Sequence, residues 1–188
     1  MEQELLKLEK ACRACQRCPL GATRTNLVFG VGVPGARILF VGEGPGEQED
    51  LRGEPFVGRS GQLLDKYLSL IDLDRRKNIY IANMVKCRPP HNRDPKPEET
   101  EQCLPWLRSQ VRILRPQLIV CLGRIAAQRL ISPDFRVTRQ HGQLIRKGNF
   151  TLMGTFHPAA LLRNEAQKAD ALSDFQVIRR WMQENDVH

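Results

Sequence analysis

The sequence has no long apolar run, few aromatic residues and no internal repeat. None of its segments approaches the roughly 18 consecutive apolar residues of a membrane helix, so we expect no contact with a membrane. Aromatic residues make up only 6% of the 188 residues, which argues against a broad platform that stacks single-stranded bases. The opening MEQELLKLEKAC lacks the apolar core of a secretion signal and has the pattern of an amphipathic helix. We therefore expect a cytoplasmic monomer whose residues 1–188 form a single domain.

Charge of one sign is in clear excess. Lys and Arg number 29 against 21 Asp and Glu, which gives a formal net charge of +8. Such a surplus suits a polyanionic partner, because each phosphate that Lys or Arg neutralises releases condensed counterions. A basic surface that only keeps the protein in solution is the alternative, and charge alone does not separate the two.

Four apolar runs have the length and composition of buried parallel strands, at 36–44, 78–86, 117–123 and 149–157. Helical patterns lie between and after them, at 60–71, 96–114, 123–131 and 171–185. This alternation predicts an α/β fold: a three-layer sandwich with a central four-stranded parallel sheet flanked by helices. Ligands of such sheets bind beyond the carboxyl ends of the strands, where the polar segments GEGPGEQED, NMVKCRPP, LGR and HPAALLRN follow.

The six cysteines indicate a metal or cluster site. Without a secretion signal, disulfides are disfavoured. Cys121 lies inside an apolar strand and is expected to be a small buried hydrophobe. The remaining positions offer four thiolates for zinc or an iron–sulfur cluster, which the spacing does not distinguish, at Cys15, Cys18, Cys87 and Cys103. Cys12 is a bystander or a substitute ligand.

The glycine-rich loop after the first strand, GEGPGEQED, is not a typical phosphate-binding loop. It lacks the Lys-Ser/Thr pair of such loops and carries acidic side chains that would repel phosphate. Its glycines are better suited to bring backbone amides close to a flat base.

Three segments carry a family resemblance: GEGPGEQEDLRGEPFVGRSGQLLD, NMVKCRPPHNRDPKPEE and TFHPAALLRN. In this order, over about residues 12–165, the chain resembles the family 4 uracil-DNA glycosylases, which hold a [4Fe-4S] cluster. The resemblance implies that Cys15, Cys18, Cys87 and Cys103 are the cluster ligands and that Cys12 is spare. It also implies that the cluster staples DNA-contacting loops together and takes no redox part in the reaction.

The same resemblance implies a uracil pocket. Glu43 and Gly44 would line it, and Phe56 would stack on the base. The amide of Asn83 offers a donor and an acceptor together, which match O4 and N3–H of uracil and mismatch cytosine. His157 would donate a hydrogen bond to O2, where negative charge develops as uracil leaves.

The group that handles water has several candidates. Related family 1 enzymes have an Asp at the third position of the first motif and an aromatic residue two positions on, whereas this chain has Gly44 and Gly46. An oxocarbenium-like sugar captured by water needs a nearby carboxylate. We expect Glu49 to supply it, with Glu47 and Asp50 as alternatives.

Contacts to DNA are expected from the same edge. By resemblance, Leu161 would enter the gap left by the flipped base. Phosphate contacts carry no sequence information, which suits an enzyme that scans all DNA. The basic residues expected to make them are Lys86, Arg88, Arg93, Arg124, Arg139 and Arg163.

We predict a monofunctional glycosylase that acts on uracil-containing DNA and leaves an abasic site. One alternative is a related group of cluster-bearing uracil-DNA binders that attach covalently to DNA through a His. That group has a basic insertion ending in His and lacks the third cysteine ligand, whereas this chain keeps Cys87 and has only His91 in PPHNRDP. The other alternative is a structural domain associated with a polymerase.

Overall fold

A six-stranded mixed sheet forms the centre of the computed structural model, which describes residues 1–188. The strands are Val31–Gly32 (β1), Ile38–Gly42 (β2), Ile79–Asn83 (β3), Leu118–Leu122 (β4), Ile145–Lys147 (β5) and Phe150–Thr155 (β6), in the order β1-β3-β2-β4-β6-β5. The inner strands β3, β2, β4 and β6 are parallel, while β1 and β5 pair antiparallel at the edges. The prediction of a four-stranded parallel sheet therefore describes the inner strands correctly and is wrong for the whole sheet. Strands of two and three residues are too short to show a hydrophobic period.

The helices are Glu2–Arg13 (α1), Leu20–Thr23 (α2), Glu47–Arg52 (α3), Arg59–Ser69 (α4), Pro97–Leu114 (α5), Arg124–Leu130 (α6), Val137–Gln140 (α7), Pro158–Arg163 (α8) and Lys168–Glu184 (α9). Short 3-10 turns span Pro90–Asn92 and Glu165–Gln167. All four predicted helices, and the amphipathic helix at the N-terminus, are confirmed to within three residues. The six-residue helices α3 and α8 were not predicted. None of the helices has the length and apolarity needed to cross a bilayer.

Two hydrophobic clusters cover the two faces of the sheet. Successive residues of a strand point to opposite faces, so Leu39 and Val41 of β2 join one cluster and Ile38 and Phe40 join the other. The first cluster includes side chains of α1, α5 and α6, and the second includes side chains of α4, α8 and α9. Helices on both faces account for the full burial of β2, β3 and β4.

The carboxyl ends of the parallel strands meet at one edge of the sheet. Gly42 at the end of β2 is paired with Asn83 at the end of β3, and Leu122 of β4 is paired with Thr155 of β6. The polar segments that follow these strands are therefore brought together, as expected for an open parallel sheet.

Candidate active site

A cleft of about 820 Å³ lies at this edge of the sheet. Its walls come from the segments after all four parallel strands, and it brings together most of the predicted site residues. Those that line it are Glu43, Gly44, Glu49, Phe56, Asn83, Arg124, His157 and Arg163, with Arg93 beside them. A concave site with a few convergent polar groups is the usual form of a small-ligand pocket.

Asn83 presents an unpartnered acceptor at the floor of the cleft. The residue is only 2% exposed, and its side-chain Oδ1 is buried without a hydrogen-bond partner. Gly42 makes room for it, because a Cβ at that position would lie 2.5 Å from Oδ1 and 2.6 Å from the Phe56 ring. Buried polar atoms are nearly always paired, so an orphan acceptor in a cleft indicates a ligand donor. The sequence marked Gly42 only as part of a strand, and no pattern in it predicts this close approach.

Phe56 is held in a strained backbone conformation by a buried arginine. Its φ is +53°, in the left-handed region that non-glycine residues rarely occupy. Arg75 donates hydrogen bonds of 2.7 Å to the carbonyls of both Pro55 and Phe56, and its fork also contacts Asp65. The Phe56 ring lies 5.5 Å from the His157 ring, centroid to centroid. Arg75 was not predicted as a site residue, because the sequence does not show which carbonyls a loop arginine will contact.

The surroundings of His157 keep its ring neutral and leave Nε2 as its hydrogen-bond donor. It is the N-cap of α8, where its Nδ1 accepts a 3.0 Å hydrogen bond from the Ala159 amide. The proton of the neutral ring must therefore reside on Nε2. Burial, together with the charge of Arg163 and against the opposing charge of Glu49, lowers the pKa of His157 to about 4. The imidazole is thus uncharged at neutral pH.

Of the three candidate acids, only Glu49 faces the cleft. Its Oε1 accepts hydrogen bonds of 3.1 Å from the amides of Val57 and Gly58, which leaves Oε2 without a protein donor. Asp50 instead accepts from the amides of Thr25 and Asn26, away from the cleft. The third candidate, Glu47, is exposed at the start of α3.

Glu43 brings a second carboxyl group into the cleft. Burial raises its pKa, and the negative charge of Asp94 raises it further against the opposing charges of Arg124 and Arg163. Its Oε1 would lie 3.1 Å from a Cβ at Gly123, whose φ of +95° also disfavours any side chain there.

Two predicted DNA contacts are contradicted by burial. Lys86 is fully buried, and its Nζ donates to the Asn83 carbonyl at 2.9 Å and to Gln110 Oε1 at 2.6 Å, so it cannot meet a phosphate. Burial lowers its pKa to about 8. Leu161 is 1% exposed and packs in the core with α4, so it cannot enter a gap in DNA as placed, whereas its neighbour Leu162 is 37% exposed.

The predicted arginines divide into two groups. Arg124 and Arg163 are exposed at the cleft, and Arg124 pairs with the equally exposed Asp94. Arg93 also lines the cleft but is engaged by both oxygens of the buried Glu99. The remaining two lie outside the cleft lining: Arg88 donates to Asn92, and Arg139 is exposed on α7.

The four predicted ligand cysteines line one small pocket that shares no lining residue with the cleft. Cys15, Cys18, Cys87 and Cys103 all contribute to it. No three ligand-type side chains stand in a geometry that would hold a metal ion as placed. Three of the four sulfur atoms accept N–H hydrogen bonds, from Trp106 to Cys15 at 3.3 Å, from Arg24 to Cys87 at 3.2 Å and from the Lys86 amide to Cys103 at 3.3 Å.

The other two cysteines are fully buried thiols. Cys121 lies in β4 with no exposed area, which confirms the prediction of a small buried hydrophobe. Cys12 is equally buried, at the end of α1, and burial raises its pKa to about 12. Neither lines the pocket of the four other cysteines.

Comparison with known proteins agrees with the site. The model of the Uracil DNA glycosylase superfamily matches residues 29–181. The chain is 45% identical to a type-4 uracil-DNA glycosylase of Archaeoglobus fulgidus, over 88% of this chain and 86% of the relative. It is 43% identical to the type-4 enzyme of Thermotoga maritima, over 88% of each, and 41% identical to that of Pyrobaculum aerophilum, over 91% of each. The chain therefore belongs to the uracil-DNA glycosylase superfamily, in its type-4 group.

Proposed function

We propose that this protein removes uracil from DNA by hydrolysing the N-glycosidic bond, which releases free uracil and leaves an abasic site. The observation that carries the proposal is the unpartnered Oδ1 of Asn83 in the cleft. Uracil supplies the missing donor as N3–H, and its O4 accepts from the amide nitrogen of the same side chain. Cytosine offers an acceptor at N3 and a donor at N4, so both contacts would fail.

Base release is assigned to His157 and Glu49. The Nε2–H of a neutral His157 donates to O2 of uracil, where negative charge develops as the glycosidic bond breaks. Phe56 stacks on the base in the pose that Arg75 imposes. The free Oε2 of Glu49 stabilises the sugar cation and orients the attacking water. Glu43 and Gly44 complete the wall of the pocket.

The four-cysteine pocket is proposed as the seat of a [4Fe-4S] cluster. Cys15, Cys18, Cys87 and Cys103 supply the thiolates, and the N–H groups that already point at three of their sulfurs suit negatively charged ligands. When bound, the cluster would supply cross-links between the N-terminal segment, the KCRPP segment and α5. Cys12 and Cys121 are left out of the ligand set.

DNA is proposed to lie along the cleft, with Arg124 and Arg163 at its phosphates. The net charge of +8 favours approach to the polyanion. Arg88 and Arg139 would add weaker contacts further out, because both lie outside the cleft lining. We propose that the chain acts as a monomeric single domain, since every group named here comes from one copy.

The direct test is release of uracil from an oligonucleotide, followed by cleavage of the abasic product and a denaturing gel. Strand cleavage after treatment supports turnover, a shifted DNA–protein band supports covalent trapping, and intact free DNA with cluster-bearing protein contradicts the proposal.

Asn83→Asp tests how the base is recognised. The carboxylate accepts from the amino group of cytosine, so we expect excision of cytosine to rise relative to uracil. The kcat/KM ratio for the two bases measures the change. An unaltered ratio in a folded Asn83→Asp protein would remove Asn83 from base recognition.

A further inference from the structure

Lys86 touches both the base pocket and the cysteine pocket. Its side-chain Nζ donates to the Asn83 carbonyl at 2.9 Å, and its own main-chain amide donates to Cys103 Sγ at 3.3 Å. The residue is fully buried, and so neither contact is shared with solvent. One residue thus connects, through its side chain and its main-chain amide, the residue proposed to recognise uracil with a residue proposed to bind the cluster.

The contact to Asn83 bears directly on where its amide points. Asn83 is the last residue of β3. Beyond it, the main-chain amides of Met84 and Val85 donate to the carbonyls of Gly42 and Glu43, at the end of the neighbouring strand β2. The Asn83 side chain itself has no partner for Oδ1. Its orientation therefore depends on packing and on the main chain, which the Lys86 ammonium holds at the carbonyl.

Gln110 is a second hydrogen-bond partner that fixes the Lys86 ammonium. Nζ also donates to Gln110 Oε1 at 2.6 Å, and the amide nitrogen of Gln110 donates to the Phe29 carbonyl at 2.9 Å. Gln110 is fully buried on α5, the helix that carries Cys103. The ammonium is consequently held between the end of β3 and α5, and a displacement of α5 would be transmitted to Asn83.

The charge of Lys86 has no carboxylate partner. A buried ammonium is unfavourable unless negative groups compensate it. Lys86 also lines the pocket of the four cysteines, so a cluster bound there by thiolates would bring compensating negative charge to this residue.

We propose that Lys86 is a positioning residue that holds the main chain of Asn83 for uracil and couples the cysteine pocket to the base pocket. The inference rests on the proposed function and deepens it, because it makes the cluster region a determinant of base affinity. It assigns Lys86 an internal role in place of a DNA contact.

The test is a double-mutant cycle on the affinity for free uracil, measured by calorimetry with the full, cluster-bearing chain. Lys86→Met should weaken uracil binding about tenfold when Asn83 is present and by less than about twofold in an Asn83→Ala background, since interacting residues are non-additive. Lys86→Arg, which keeps a charged donor, should recover part of the loss. Lys66→Met, an exposed lysine on α4, is the matched control and should leave the affinity unchanged.

Equal weakening by Lys86→Met in both backgrounds, or no weakening at all, would overturn the inference. If Lys86→Met does not fold, Gln110→Leu removes one acceptor of the ammonium and should weaken uracil binding about threefold, again only when Asn83 is present. Uracil excision by the unmodified protein is measured in parallel. Its absence would contradict the proposed function, whereas an additive cycle in an active protein contradicts only the role of Lys86.

A second arm addresses the coupling. Cys103→Ser should weaken uracil binding in the otherwise unmodified protein and have little further effect in Lys86→Met, with iron content determined for each preparation. Equal losses in both backgrounds would show that the cysteine pocket reaches the base by another route, and would overturn the coupling.

Discussion

The floor of the cleft and its rim are built on different physical terms. On the floor, Asn83, Phe56 and Glu49 are buried and His157 is partly buried, and main-chain groups or close packing orient them. On the rim, Arg124 and Arg163 are exposed, and Arg124 has only an exposed carboxylate as its partner.

This difference separates chemistry from affinity. Fixed dipoles in a water-poor site act strongly on developing charge without reorganising. Exposed charges are screened within about 10 Å at moderate salt, so each contributes little and their sum depends on ionic strength. Changes on the floor should therefore alter the rate of bond cleavage, and changes on the rim should alter binding and its salt dependence.

The largest effect is expected from Glu49→Gln and His157→Ala. Each removes one group that stabilises charge in the transition state, and we expect kcat to fall about 10²–10³-fold. Single-turnover excision of uracil measures it. Glu47→Gln, an exposed change on the same helix as Glu49, is the control and should keep full activity. A comparable loss of kcat in Glu47→Gln would contradict the assignment of Glu49 as the catalytic carboxylate.

Two neighbouring residues of α8, outside the cleft lining, contrast a buried position with an exposed one. Leu161→Ala opens a cavity in the core and should lower the free energy of unfolding by about 3 kcal/mol. Leu162→Ala removes an exposed side chain and should change it by less than about 0.5 kcal/mol. Urea denaturation gives both values. If the Leu161→Ala protein keeps its stability and loses only affinity for DNA, Leu161 would be the residue that enters the gap left by the flipped base.

A substitution outside the cleft lining, at Arg75, can relax the backbone conformation of Phe56. Arg75→Met leaves the buried carbonyls of Pro55 and Phe56 without donors, and the free energy of unfolding should fall by about 2 kcal/mol. Because the stacking ring is then free to move, KM for uracil-containing DNA should rise as well. Arg76→Met, whose side chain is exposed and pairs with Glu54, is the control. If both variants change the free energy of unfolding and KM equally, Arg75 does not hold the backbone of Phe56.

The smallest effect belongs to the rim. Arg163→Gln should leave the single-turnover rate within about twofold and reduce the slope of log affinity against log salt by about 1, which is the loss of one phosphate contact. Titration of labelled DNA at several salt concentrations measures the slope. Arg139→Gln, outside the cleft, should reduce it less. An unchanged slope in Arg163→Gln would place that arginine away from DNA.

The sequence predicted the location of the site because strand ends are visible in it. Asn83 is the last residue of β3 and His157 lies two residues after β6, and parallel strands bring such positions to a common edge. Phe56 and Glu49 came from the resemblance to a family. The inner strands and the long helices were equally accessible, since each is long enough to show its hydrophobic period.

Partnerships between distant residues were not predictable in the same way. Lys86 was expected to contact phosphate because it follows the second strand, on the same edge as the site, yet Gln110 and the Asn83 carbonyl accept hydrogen bonds from its buried ammonium. Leu161 was assigned by its place in a motif, whereas the turn of α8 directs it into the core. The choice between Glu49 and Asp50 depended on which carboxylate turns towards residues 25 and 26, a detail of α3 packing.

In the proposed mode of base recognition, the unpaired oxygen of Asn83 would also determine how long each base stays in the cleft. An enzyme that inspects undamaged DNA must discard ordinary bases quickly, because they vastly outnumber uracil. An extruded cytosine would bring its N3 lone pair against the buried Oδ1 and leave two acceptors facing each other. Its residence time should therefore be short, and the atom proposed to bind uracil would also set the rate at which undamaged bases are rejected.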